Sequence, residues 1–268
     1  MQTSYRFSAP GRTEISGNHT DHQHGCVLAA AVDLETTAEV TLRPDSIIRV
    51  ASEGYAPVEI DLNDLSVHAE EKNTTAALVR GVAAAFAQRG CKLHGFDAAV
   101  RSTVLPGSGL SSSAAFEVLI GTICNELFFD KKCSAIEIAQ IGQYAENVYF
   151  GKPCGLMDQM ASSVGGLVFI DFADPAHPAV RQAAFDFAHC GYTLCTLMHF
   201  GEYELSPSLI SLSPLPSAHP EAFQRLLVRS SRWCYPSFNL PKGRSLGFAS
   251  TPSDYTPCSD SLSLRLQI

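Results

Sequence analysis

VLPGSGLSSSAAFEV, residues Val104 to Val118, sets two glycines and four serines between an apolar β-branched run and an alanine-rich one. A strand ending here, turned by Pro106 and followed by a helix opening at Ser111–Ser113, would hold Gly107, Ser108, Gly109 and Leu110 as a tight loop. That loop would stand ahead of a positive helix end. Glycine lets the backbone approach a ligand closely, and exposed N–H groups with three hydroxyls then make a cradle for phosphate oxygens. The stretch lacks the GK[ST] of a Walker A loop. For a bare GSG, a plain Gly/Ser turn with a serine N-cap would be the better reading. A strand before and a helix after favour the cradle.

Upstream, TTAEVTL, SIIRVAS and APVEIDL in residues 36–62 are β-branched and partly alternating, and predict two or three strands. TAALVRGVAAAFAQR (Thr75 to Arg89) has a helical repeat and closes on Gly90, a natural C′ residue. GFDAAVRSTV alternates as a half-buried strand does. Downstream of the loop, Leu110, Ala114, Val118 and Leu119, Ile123, Leu127 step at four-residue intervals and predict a second helix. A third opens at Ser134, where Glu137 can complete a capping box, and stops at Gly151 before Pro153. GGLVFIDF reads as a strand. Strands come in groups rather than in βαβ alternation, so the expected class is α+β.

Two further segments carry chemistry. CGLMDQMASSVGG (Cys154 to Gly166) isolates Asp158 among apolar and small residues, where a carboxylate is costly unless paired or working. An arginine could hold it ionised, ready to orient or deprotonate a hydroxyl; a solvent-facing helix cap is the competing reading. APGRTEISGNHTDHQHG (Ala9 to Gly25) holds one cation, Arg12, able to neutralise phosphate or to pair with Asp158. His19 and Asp21 suit vicinal hydroxyls. His19, His22 and His24 suggest a metal, but without a helix to align them this is the weaker reading.

Composition narrows the classes. A net charge of −8 without a basic run disfavours nucleic acid and anionic membrane as partners. Nine scattered cysteines with no C-x-x-C pair argue against a disulfide framework. The N-terminus has no apolar leader segment and no run is long enough to span a bilayer, so the expected compartment is the cytoplasm. Near Leu197 the character changes. Alanine falls from 28 in the first 196 residues to 3 in the last 72, while each part holds 14 serines. The expected organisation is a domain at 1–196 and an atypical Ser/Pro-rich tail at 197–268, read as frameshifted or otherwise aberrant and poorly ordered.

The three segments, in this order, resemble the GHMP kinase family and within it the galactokinases, over roughly residues 5–196. APGRTEISGNHTDHQHGCVL is similar to the galactokinase signature GR-x-N-[LI]-I-G-E-H-T-D-Y, LPGSGLSSSAA to the GHMP phosphate loop, and CGLMDQMAS to the segment bearing the catalytic aspartate. Glu14, Asn18 and His22 depart from the usual Asn, Glu and Tyr. The second lobe's glycine-rich motif has no counterpart after Leu197.

The resemblance implies the N-terminal GHMP lobe, of the ribosomal-protein-S5-domain-2 type, without its C-terminal lobe. It also implies transfer of the ATP γ-phosphoryl group to O1 of galactose, with ATP and Mg²⁺, and, with the second lobe missing, little or no such activity from this chain. Arg12 and Asp158 would be the catalytic pair. Asn18, His19, Asp21 and Gly155 would meet the sugar. Gly107, Ser108, Gly109, Leu110, Ser111, Ser112 and Ser113 would wrap the ATP phosphates, with Ser113 and Glu146 as magnesium partners. A GHMP kinase for another small alcohol, and a non-catalytic galactokinase-like sensor or remnant, are the alternatives. Oligomeric state is left open.

Overall fold

A computed structural model describes residues 3–184 and, as backbone, three later strands. The first compact unit consists of Met1–Phe185 together with Leu266–Ile268. In chain order it contains β1 (Ser4–Ser16), β2 (Cys26–Leu42), β3 (Ile47–Ser52), β4 (Val58–Asp61), α1 (Thr75–Gln88), β5 (Phe96–Ser102), α2 (Ser112–Phe128), α3 (Ala135–Tyr144), α4 (Met157–Val164), β6 (Leu167–Asp171) and β7 (Ala179–Gln182). The expected α+β class is the one observed.

One mixed sheet, ordered β4-β3-β5-β2-β6-β7 with β1 also on β2, organises this unit. β2 is its spine. β1 runs antiparallel along it, while β5 pairs with Thr36–Leu42 and β6 with Cys26–Ala30. Only β3 and β5 run parallel. Along β3 and β5 the residues Ile48, Val50, Phe96, Ala98 and Val100 are buried and alternate with more exposed neighbours. This period-two pattern leaves one face to be covered, and the helices cover it. Val79, Val82 and Phe86 of α1 and Leu119, Ile120 and Ile123 of α2 join that core. A second cluster packs Met157, Met160 and Ala161 of α4 on Val27 and Ala29 of β2 and Val168 and Ile170 of β6.

Local chemistry sets the helix ends. Ser134 and Glu137 form the expected capping box at α3. The Thr74 hydroxyl accepts from the Ala77 N–H at the start of α1. α3 runs directly into a π-helical segment, Ala145–Phe150, which the sequence does not announce, and this ends at Gly151. β1 and β7 were likewise not expected, nor was α4 as an element.

A second unit, Asp186–Arg265, contains β8 (Tyr192–Leu197), β9 (Leu209–Pro214) and β10 (Leu262–Leu264), antiparallel in the order β10-β8-β9. β8 spans residues 196 and 197, and its strand partners β9 and β10 belong to the same unit. Apart from β9 and β10, the Ser/Pro-rich tail lies outside the described residues.

Candidate active site

Three segments distant in sequence meet around one side chain. Arg12, on β1, is buried; its Nε and Nη2 donate to Asp158 Oδ1 and Oδ2 at 2.6 and 2.5 Å. Its Nη1 donates to the Gly109 carbonyl at 2.6 Å, and its backbone N–H to the Leu110 carbonyl at 3.0 Å. The guanidinium therefore ties the signature strand to the glycine loop and to α4. A bidentate fork of this kind fixes direction as well as charge.

Asp158 lies in the first turn of α4 with 30% of its side chain exposed. Burial by itself would raise its carboxyl, but the Arg12 charge and the hydrogen bonds from Arg12 and Ser111 outweigh burial. They hold the group below the usual carboxylate range. Of the two readings open from sequence, the paired acid is the observed one.

The glycine loop has the backbone that its composition requires. Gly107 and Gly109 adopt φ of 77° and 75°, in the left-handed region that side chains disfavour. Ser111 follows at φ 58°. It precedes α2, but its hydroxyl donates to Asp158 Oδ2 at 2.6 Å and caps nothing in the helix. The first amides of α2 thus receive no bond from their N-cap side chain, as an anion-binding helix end requires. Ser108 is buried with its hydroxyl on the Leu105 carbonyl, bracing the turn. Ser112 and Ser113 are the half-buried opening residues of α2.

The histidine-rich stretch forms a 3-10 turn, Thr20–Gln23, flanked by left-handed Asn18, His19 and His24. Asp21 is its buried member. Its Oδ2 accepts from the Met157 N–H at 3.1 Å, so this turn leans on the start of α4. Gly155 lies directly over Asp21, where a Cβ would stand 1.8 Å from Oδ2. Asn18 and His19 are exposed. His19 is held by Glu14, whose Oε1 accepts the His19 backbone N–H at 3.0 Å and whose Oε2 lies 3.3 Å from Nε2. His22 faces Asp21 instead, so the imidazoles turn to separate partners rather than to a common centre.

Glu146 sits in the π-helical segment, buried. Its Oε2 accepts from Gln159 Nε2 at 2.9 Å, and its Oε1 lies 3.3 Å from the largely exposed Lys152 ammonium. Gln159 Nε2 also donates to Glu117 Oε2 at 2.9 Å. Glu117 and Gln159 were missed from sequence. AAFEVLI offers a lone acid on a helix, which ordinarily faces water, and Gln159 carries no charge to draw attention.

Residues 77–166 match the model of the GHMP kinases N terminal domain, and residues 2–42 match the galactokinase galactose-binding signature. The first unit has the fold of the GHMP kinase N-terminal lobe. The chain is 38% identical over 193 residues to the galactokinase of Streptomyces coelicolor, covering 70% of this chain and 48% of that one. To the Bacillus subtilis galactokinase it is 36% identical over 163 residues, covering 59% and 41%. The chain spans about half the length of the curated relatives it matches. Among solved structures, Lactococcus lactis galactokinase complexed with galactose aligns with a TM-score of 0.64 at 26% identity, over 72% of this chain and 50% of that one. The Methanococcus jannaschii mevalonate kinase, at 14% identity and a TM-score of 0.60, shares the fold of this GHMP domain.

Proposed function

We propose that the protein is an ATP-dependent sugar kinase that transfers the γ-phosphoryl group to O1 of galactose. The observation that carries this reading is the Arg12–Asp158–Ser111 junction, which joins the galactose-signature strand to the phosphate loop beside a half-open carboxylate. Phosphoryl transfer through a loose transition state depends mainly on positioning and charge neutralisation. Asp158, kept ionised by Arg12, accepts the hydrogen of the sugar hydroxyl and aligns its oxygen. Its lowered pKa makes it a weak base, so the proton moves to it only as the O–P bond forms. Arg12 faces the loop as well as the acid, and so offsets negative charge that grows between them.

The remaining roles follow position. Asp21, beneath Gly155, and His19, on Glu14, bind sugar hydroxyls together with Asn18. The loop from Gly107 to Ser113 takes the ATP phosphates on its amides and hydroxyls. Glu146 and Ser113 fit Mg²⁺: Glu146 Oε1 already faces one cation, the Lys152 ammonium. Ser113 lies one helical turn from Glu117, which shares Gln159 with Glu146. Among the described residues no cluster of three or more acidic, His or Cys side chains offers an all-protein cage. Few protein ligands plus phosphate oxygens is the usual Mg²⁺ arrangement. When bound, the ion supplies neutralisation of phosphate charge.

The test is a coupled ADP-release assay with galactose against a panel of sugars and small alcohols, with the product identified by ³¹P NMR. Galactose 1-phosphate supports the proposal; preferential turnover of another alcohol, or no saturable binding of galactose or ATP, refutes it. Because the chain spans about half the length of its relatives, a non-catalytic sensor is the second reading, marked by binding of both ligands without turnover. A cytoplasmic setting is part of this proposal. Among the described residues no helix is long and apolar enough to cross a membrane.

A further inference from the structure

We infer that Glu117, on the helix that follows the phosphate loop, is a positioning residue which, through Gln159, fixes the side chain of Glu146. This deepens the proposed function and rests on its assignment of Glu146 to Mg²⁺. Glu117 is fully buried on α2 and Gln159 fully buried on α4. A primary amide has two hydrogens, and Gln159 directs both from Nε2 at carboxyl oxygens, Glu117 Oε2 and Glu146 Oε2, each at 2.9 Å. The opposite amide orientation would aim the amide oxygen at Glu146 Oε2, so that neighbour sets it.

Glu146 needs such a brace. It lies in the π-helical segment, where Gly151 and Lys152 both donate their N–H groups to its carbonyl, so its main chain is fixed while its side chain is not. Of its other side-chain partners, Lys152 is long and mostly exposed, and Cys154 offers only the weak hydrogen bond of a thiol. Glu117 touches none of the proposed reacting groups, yet a buried acid is costly where leucine would pack. Its use is as the second acceptor. With it, the amide is anchored at both hydrogens; without it, the amide is free to turn about its terminal torsion and release Glu146. Burial and the nearby Glu146 charge favour the neutral form of Glu117, which still accepts this bond. Glu117 Oε1 and Gln159 Oε1, both buried, find no partner in the structure. An unpartnered buried acceptor is a cost that a merely space-filling role would have removed.

The test compares the full-length wild-type chain with Glu117→Gln, Glu117→Leu and Gln159→Met, measuring the affinity of a fluorescent ATP analogue in EDTA and in Mg²⁺. Glu117→Gln presents the same acceptor and should keep the Mg²⁺-dependent gain within about twofold. Glu117→Leu and Gln159→Met each remove the link and should lose about tenfold of that gain, the scale of one hydrogen bond to a charged group. Affinity in EDTA should stay within about twofold of wild type in all three, because the phosphate loop is untouched. Two substitutions probe one link, so a single insoluble variant leaves the test intact. An unchanged Mg²⁺ gain in either apolar variant overturns the inference, as does an equal loss with and without Mg²⁺. A wild-type chain that binds nucleotide without regard to Mg²⁺ overturns the assignment of Glu146 itself, and a chain that binds none overturns the proposed function.

Discussion

Gly155→Ala gives a quantitative handle on the sugar side of the site. A Cβ at position 155 would stand 1.8 Å from Asp21 Oδ2, 2.4 Å from its Cγ and 2.8 Å from Oδ1, so the Asp21 carboxylate must leave. In leaving it gives up the Met157 N–H, a hydrogen bond to a charged group that contributes about 1.5–3 kcal/mol. Against this, replacing glycine by alanine reduces unfolded-chain entropy and stabilises by about 0.4–1 kcal/mol where the backbone allows it. The net expectation is a loss of about 1–2 kcal/mol, or roughly 3–6 °C in unfolding midpoint for a domain of this size. Galactose affinity should fall with it, since Asp21 no longer lines the turn. The decisive measurement is a double-mutant cycle by urea unfolding. In an Asp21→Ala background nothing remains for the new methyl to displace, so Gly155→Ala should turn neutral or mildly stabilising. If the substitution costs the same in both backgrounds, the steric argument fails.

Three other outcomes are expected. Asp158→Asn should slow sugar phosphorylation by roughly 10²–10⁴ while leaving ATP affinity nearly unchanged, as a coupled assay and nucleotide titration will show. Near-normal turnover would remove Asp158 from the mechanism. Gly109→Val forces a β-branched residue to φ 75° and should weaken ATP binding by tenfold or more, to about that order, with helix content by circular dichroism retained. Glu71, bonded by its Oε1 and Oε2 to the buried Arg80, titrates below its ordinary value of 4.5 because of that hydrogen bond. A carboxyl lowered on folding stabilises above its unfolded pKa, and that contribution disappears as pH falls through the folded one. Glu71→Gln should therefore be less stable than wild type near pH 7, with the gap closing below pH 4.5; a gap independent of pH would refute the linkage.

Much of this could be read from the sequence wherever a short-range signal coincided with a tertiary one. The Ser134–Glu137 box and the four-residue steps of α2 are local, and both elements start where expected. Asp158 is legible because an acid in an apolar stretch demands a partner, and Arg12 is the one cation of the Ala9–Gly25 stretch. β1 was not legible. SAPGRTEIS has no alternation and contains Pro10, and it becomes a strand only because β2 offers a full-length edge, with a register shift between Pro10 and Arg12. The roles of Glu117 and Gln159 were hidden for a different reason. Burial of a polar group is a property of the packed helices, and a single acid in AAFEVLI looks the same whether it faces water or two other helices. The π-helical turn that carries Glu146 leaves no mark in composition.

The spine strand β2 has a consequence for how the protein is born. Its partners are β1 before it, β5 well after it and β6 later still, and the Arg12–Asp158 contact spans 146 residues. At ribosomal speeds of roughly 5–20 residues per second, some 7–30 s separate synthesis of the arginine from synthesis of its acid. Until β6 is made, the half of β2 destined for it has an open edge, and until Asp158 is made the arginine lacks its native partner. Nascent chains stalled before Asp171 should therefore hold chaperones that complete chains release, making this strand a timer on the ribosome as much as a scaffold.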